Sequence, residues 1–212
     1  KMSLDNIQFT DPTVKDSLLT IVEALIPTNI VLYGSNGTGK TMIANQIAKD
    51  LGLADMECEF DHTSYSKDIM MATLNTQRMV TGLRGIIIIN EVDRLKPEKQ
   101  YEIQNFVDAF CTDTNEKPAL CNLILTTNNL KDLVPALVSR CSKFPIEGPS
   151  PAQLLPMFIS RLKDEGVLMT QTQALGLLME ELGYGCSQLS YRDVAERFKM
   201  TVYKTKQMTV KW

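Results

Sequence analysis

Two rhythms of apolar positions divide the chain. From residue 29 to 145, short β-branched runs alternate with longer stretches whose apolar residues recur at helical spacing, the pattern of strands feeding crossover helices in a parallel sheet. The runs 29–33, 56–60, 85–90, 123–127 and 142–145 predict five strands, each short and mostly apolar, as strands covered on both faces require. Helices are expected from Lys40, Ser66, Pro97 and about Leu133, with one more over 13–25 after an N-terminal loop. Glu147-Gly148-Pro149-Ser150-Pro151 then interrupts helix and strand alike. Beyond it only helical spacing persists, over 152–164, 170–182 and 191–204, with no internal repeat or low-complexity segment. The expected architecture is α/β: a core with a five-stranded parallel sheet over 1–148 and a small helical domain over 149–212.

Composition narrows the setting. With 212 residues the chain can bury a real core without disulfide or metal staples. Its balance of 44% hydrophobic to 22% charged residues is that of a globular protein, and no apolar run nears the roughly 20 residues that span a bilayer. No membrane role and a cytoplasmic location are therefore expected. The opening Lys1-Met2 has no secretory character and suggests a tag remnant or an excised segment. Five cysteines at wide spacing, without a CxxC pair and with a single histidine, disfavour both structural zinc and a disulfide framework. A net charge of −3 argues against a nucleic-acid coat over the whole surface, though not against a concave patch built by several subunits.

The strongest chemical signal is Gly34-Ser35-Asn36-Gly37-Thr38-Gly39-Lys40-Thr41, which matches GxxxxGK[ST] in full, follows a predicted strand and opens a predicted helix. In that context the glycines let backbone N–H groups wrap a β-phosphate, and the helix N-terminus adds its partial positive charge. Lys40 is the candidate β/γ-phosphate contact, and the Thr41 hydroxyl the candidate magnesium ligand. Binding of ATP with Mg2+ is the expectation.

A second signal closes the run Ile86-Ile87-Ile88-Ile89-Asn90-Glu91-Val92-Asp93, a buried strand that ends in carboxylates at the sheet's C-terminal edge. This has the form of a Walker B segment, whose usual Asp-Glu pair holds a magnesium water and orients the attacking water. Asn90 stands where the Asp is expected, which keeps an acceptor for the metal side but removes a charge. Glu91 is the candidate base. A solvated strand terminus that caps the helix from Pro97 is the alternative for Glu91 and Asp93.

Further along, Leu123-Ile124-Leu125-Thr126-Thr127-Asn128-Asn129 is a strand ending in polar residues, and eleven residues after Asn128 comes Ser139-Arg140-Cys141. In these segments the chain resembles AAA+ proteins, and in particular the small subunits of sliding-clamp loaders of the replication factor C and phage type. The resemblance spans about residues 29–198. It implies an AAA+ P-loop core with a helical lid, Asn128 as γ-phosphate sensor, and Arg140 as a finger reaching a neighbouring subunit's ATP. It further implies that Gln100, on the helix after the acidic segment, couples DNA binding to catalysis. Arg192, in Tyr191-Arg192-Asp193, would touch the γ-phosphate of the subunit's own nucleotide, or else is a surface arginine early in a helix.

By the same resemblance the partners would be other AAA+ subunits in a homo- or hetero-oligomer, a sliding clamp and primer-template DNA. Three departures qualify it. The family's basic residues after Gln100 are replaced by Ile103, Gln104 and Asn105; the N-terminal tryptophan and lysine-tyrosine-arginine-proline segment are missing; and the sequence ends at residue 212, where loader subunits continue into a helical collar. A diverged phage-type subunit, an excised fragment or a different AAA+ protein would each account for these. The expected function is an ATPase subunit that loads a clamp on primed DNA. A low-activity nucleotide-binding scaffold, or another DNA-associated AAA+ ATPase such as a helicase loader or transposition regulator, is the alternative. Arg94, Lys96 and Lys99 read as a solvated helix start or a DNA-facing one, His62 as a loop surface residue, and the methionines as core fillers. The last residues, 208–212, read as a frayed tail, a strand or a docking peptide.

Overall fold

The computed structural model describes residues 3–7, 9–52, 59–82, 84–182 and 187–209. Strands β1 (Ile30–Tyr33), β2 (Glu59–Phe60), β3 (Gly85–Ile89), β4 (Cys121–Thr127) and β5 (Ser142–Pro145) form one parallel sheet in the order β2-β3-β4-β1-β5. Of the expected strand 56–60, residues 56–58 lie outside the described residues. Parallel pairing forces a crossover between successive strands. These crossovers carry α2 (Lys40–Asp50), α3 (Lys67–Thr81), α4 (Pro97–Phe110) and the single turn α5 (Pro135–Val138), while α1 (Pro12–Glu23) precedes the sheet.

The period of two in the strands explains the layering. Val31, Ile87, Ile89, Leu123 and Leu125 face one way and pack with Met70 and Leu74 of α3, Ile103, Phe106 and Val107 of α4, and Leu137 of α5. Ile30, Leu32, Ile86, Ile88 and Ile124 face the other way and pack with Val14 and Leu18 of α1 and Ile43, Ala44 and Ile47 of α2. All four isoleucines of β3 are at 0% exposure, so a run without alternating polarity is what a doubly covered strand needs.

Two boundaries differ from the sequence reading for local reasons. α1 starts at Pro12, with the Asp11 side chain accepting from Thr13 N at 2.8 Å, and it stops at Glu23 because Leu25 turns to φ 51°. The helix expected from Leu133 is only four residues long. Cys141 must enter the core and Ser142 N must reach Asn29 O at 2.8 Å to begin β5, so the chain cannot continue helically.

The chain divides into two compact units, Lys1–Ser35 with Lys40–Ile146, and Asn36–Gly39 with Glu147–Trp212. The second unit thus takes up the chain at Glu147, two residues before the 149 expected, and it includes the tip of the glycine loop. Within it, a Cβ on Gly148 would lie 2.2 Å from Leu189 O, Leu189 N donates to Pro149 O at 2.8 Å, and Tyr191 N donates to Gly37 O at 2.9 Å. Its helices are α6 (Pro151–Asp164), α7 (Gln171–Glu180) and α8 (Tyr191–Thr209). Reciprocal capping boxes, Ser150 with Gln153 and Thr170 with Gln173, start the first two. Leu154, Phe158, Leu162, Ala174, Leu178 and Val194 form their common core. Of the C-terminal segment 208–212, Met208 and Thr209 end α8 and residues 210–212 lie outside the described residues. Among the described residues no helix is long and apolar enough to cross a membrane.

Candidate nucleotide site

In the first unit, the polar side chains singled out from the sequence converge where β1, β3 and β4 end, at the C-terminal edge of the sheet. The loop after β1 begins with Gly34 at φ 150°, where a Cβ would sit 2.2 Å from Ile146 O; only glycine fits that approach. Lys40, the first residue of α2, is 8% exposed, and its Nζ donates to Gly34 O and Ser35 O at 2.8 Å each and to Asn128 Oδ1 at 3.1 Å. Burial holds the Lys40 pKa below its ordinary value, while the carboxylates of Asp93 and Glu91 pull it partly back. The ammonium is thus folded against its own loop, held by carbonyls that a phosphate could replace.

The next residue, Thr41, donates from Oγ1 to Asn90 Oδ1 at 3.0 Å, joining the loop to the end of β3. Asn90 lies one residue beyond that strand, 6% exposed, and its Oδ1 also accepts from Thr126 Oγ1 at 2.9 Å. Its Nδ2 donates to Glu59 Oε1, and the second oxygen of Glu59 accepts from Asn45 Nδ2 at 2.8 Å.

Glu91 adopts φ 53° and ψ 47°, a left-handed conformation uncommon for a residue with a side chain. Thr126 Oγ1 accepts from its backbone N at 3.1 Å, and its carboxylate pairs with Arg94 Nη1 at 3.1 Å. His62 Nδ1 lies 3.6 Å from Glu91 Oε2, beyond hydrogen-bond length but within electrostatic reach. The surface reading of His62 therefore missed a neighbour of the candidate base. No local pattern in Asp61-His62-Thr63-Ser64 points to it, because only the pairing of β2 with β3 brings the two segments together.

Asn128 bridges Lys40 to Asp93, its Nδ2 donating to Asp93 Oδ2 at 3.3 Å. Asp93 Oδ1 is buried without a hydrogen-bond partner. Gln100, 1% exposed, donates to Leu95 O at 3.0 Å and Asp132 O at 3.2 Å and accepts from Val134 N at 2.8 Å. It fastens the start of α4 to the loops that follow β3 and β4. Of the basic cluster, Arg94 is engaged by Glu91, and Lys99 pairs with Glu102 at 2.9 Å.

Arg140 stands apart from this convergence. Its Nε donates to Asp108 of α4, and its Nη1 donates to Ala136 O at 2.7 Å. The guanidinium holds the Asp108 carboxyl below its usual range. Close by in sequence, burial pushes the Cys141 thiol up to about 12, so this cysteine is inert packing rather than a nucleophile.

In the second unit, the loop tip carries Gly37 at φ 78°, where a Cβ would lie 2.1 Å from Ser190 Oγ and 3.7 Å from Arg192 Cβ. Arg192 is exposed in the first turn of α8, as its reading as a surface arginine early in a helix has it, and its Cβ lies near Gly37 at the loop tip.

The donor chemistry fits ATP and magnesium. Hard oxygens from a hydroxyl and a carboxamide, an unpartnered buried carboxylate oxygen and an ammonium lie at a glycine loop that leads into a helix N-terminus. No group of three or more His, Cys, Asp or Glu side chains able to hold a metal occurs among the described residues.

Fold and site together define a P-loop nucleotide-binding protein with an α/β core and a helical C-terminal unit. Residues 30–147 match the ATPase family associated with various cellular activities (AAA), and the chain belongs to that family. Among curated proteins it is 25% identical over 170 residues to the sliding-clamp-loader large subunit of Enterobacteria phage T4, covering 74% of this chain and 50% of the relative. It is 24% identical over 148 residues to mouse replication factor C subunit 5, covering 66% and 42%. The chain thus spans about half the length of the curated relatives it matches. The solved RuvB Holliday junction branch migration motor of Thermotoga maritima superposes with a TM-score of 0.62 at 18% identity, over 94% of this chain and 72% of that one, a likeness of fold.

Proposed function

We propose that the chain is an ATP-hydrolysing subunit of a clamp-loader-like assembly, acting with other AAA+ subunits on a sliding clamp and primer-template DNA during replication. The observation that carries the reading is the meeting of Lys40, Thr41 with Asn90, Glu91, Asp93 and Asn128 at three adjacent strand ends in a member of an ATPase family. The clamp-loader assignment draws support from the phage and mouse relatives and from Arg140 in Ser139-Arg140-Cys141.

In this reading the N–H groups of residues 34–41 cradle the phosphates, and Lys40 exchanges its loop carbonyls for β- and γ-phosphate oxygens. Thr41 and the Asn90 side would hold magnesium, which would supply neutralisation of charge on the phosphate oxygens. Glu91, its backbone fixed by Thr126, orients a water for attack on the γ-phosphate and takes its proton. Asn128 and Arg192 hydrogen-bond the γ-phosphate. Arg140 leaves Asp108 to stabilise transition-state charge in a neighbouring subunit's site, a task suited to a planar, permanently charged guanidinium. Gln100 ties the helix that would face DNA to the loops bearing Glu91 and Asn128.

The test is hydrolysis rate per subunit against protein concentration, with and without primed DNA. The rate should rise with concentration and rise further with DNA, and Arg140→Ala should abolish both rises while leaving nucleotide affinity unchanged. A second reading, a scaffold that holds nucleotide and turns it over slowly, is favoured by the amide at Asn90. Tight binding with a flat, DNA-blind rate would select it.

A further inference from the structure

Asn90 stands where the site's chemistry calls for an aspartate, and its hydrogen-bond partners fix which way its amide faces. An asparagine side chain can face either way, and its partners decide which end is oxygen. Here two hydroxyls, Thr41 Oγ1 at 3.0 Å and Thr126 Oγ1 at 2.9 Å, converge on one end, and the Glu59 carboxylate, an acceptor only, meets the other. Glu59 is itself fixed: it pairs with Ile88 in the sheet register, and its second oxygen takes a hydrogen bond from Asn45 of α2 at 2.8 Å. One residue on, Phe60 O accepts from Asn90 N at 2.7 Å, so the backbone sets the two side chains side by side.

Resting on the nucleotide-site reading above, we propose that Glu59 is a positioning residue that supplies the negative charge missing from Asn90. The carboxylate is displaced outward by one hydrogen bond: Asn90 keeps its oxygen turned toward Thr41 and the magnesium position, and Glu59 polarises that amide and returns the charge. Two residues 31 positions apart share the work that a single aspartate does elsewhere. The arrangement makes a prediction that a plain loss of charge does not. Restoring aspartate at position 90 while Glu59 remains removes the N–H that joins the two side chains and sets two carboxylates within hydrogen-bond distance, where like charges repel.

The experiment is an equilibrium titration of a fluorescent ATP analogue against the whole chain, in chelator and across magnesium concentrations, for wild type, Glu59→Gln, Asn90→Asp and the double variant. Circular dichroism confirms folding of each. Glutamine keeps an acceptor for Asn90 Nδ2, so Glu59→Gln isolates the charge. It should raise the magnesium concentration needed for half-maximal binding about 10- to 100-fold, with affinity in chelator unchanged. Asn90→Asp alone should also weaken the magnesium dependence. The double variant has one carboxylate moved inward and a glutamine amide donating to it, and it should recover to within about threefold of wild type. A magnesium dependence untouched by Glu59→Gln, or an Asn90→Asp variant that gains magnesium affinity equally with and without Glu59, overturns the proposal while leaving the nucleotide site standing. Wild-type protein that binds no nucleotide at any magnesium concentration overturns both.

Discussion

The loop after β1 and the end of β3 lie side by side, yet they are built in opposite ways. In the loop the chemistry is local: Lys40 bonds the carbonyls of Gly34 and Ser35, six and five residues before it. At the end of β3 the partners are distant. Asn90 is held by Thr41, Thr126 and Glu59, separated by 49, 36 and 31 positions, and Glu91 meets His62 and Arg94. A local constellation can be recognised as a string of letters, and a change in one letter breaks it. A constellation gathered through the sheet can lose a letter and recover its chemistry from another strand.

The sharpest way to break the comparison is at the loop. Lys40→Ala removes the buried ammonium, and nothing else among the loop residues 34–41 carries a positive charge. Nucleotide affinity should fall about 100-fold, the worth of a charge-assisted contact to phosphate, and hydrolysis should vanish. Calorimetric titration and a phosphate-release assay read the two effects; unchanged binding would show that this loop does not hold the phosphates.

Glu91→Gln should act on one quantity only. Losing a positioned base lowers turnover about 10²- to 10⁴-fold, while nucleotide affinity should stay near wild type if, as proposed, the loop after β1 holds the phosphates. Single-turnover hydrolysis beside equilibrium binding separates the two. A turnover near wild type would move the base to another carboxylate, with Asp93 the nearest candidate by its unpartnered buried oxygen.

The same contrast explains what the sequence disclosed. The five strands, their coverage on both faces and the helical unit after residue 147 follow from apolar periodicity, because a strand with all four isoleucines at 0% exposure has no other place to sit. The glycine loop follows from its letters and its context. The shortness of α5 did not, since the demand to re-enter the sheet at Ser142 comes from Asn29, far upstream. Nor did the neighbours of Asn90 and Glu91, because strand order decides them, and strand order is a property of the sheet rather than of any window of sequence. The assignment of Asn36–Gly39 to the unit of α6–α8 was hidden for the same reason: its cause is the contact of Gly37 with Ser190 and Tyr191.

The smallest expected effect probes the acidic end through a residue whose letters gave no warning. The Glu91 carboxylate meets Arg94 at 3.1 Å and His62 at 3.6 Å, both at Oε2, on a left-handed backbone beyond the end of β3. Both flanking groups are partly exposed, so each contributes at the scale of a solvent-screened pair. His62→Ala should accordingly lower turnover about two- to fivefold with nucleotide affinity unchanged, and His62→Gln, which retains a donor, should lose less. On the proposed reading, in which Glu91 orients the attacking water, an effect confined to turnover places His62 behind Glu91. An equal loss in affinity would instead assign His62 to the nucleotide itself and make the acidic end, like the loop, part of the binding surface.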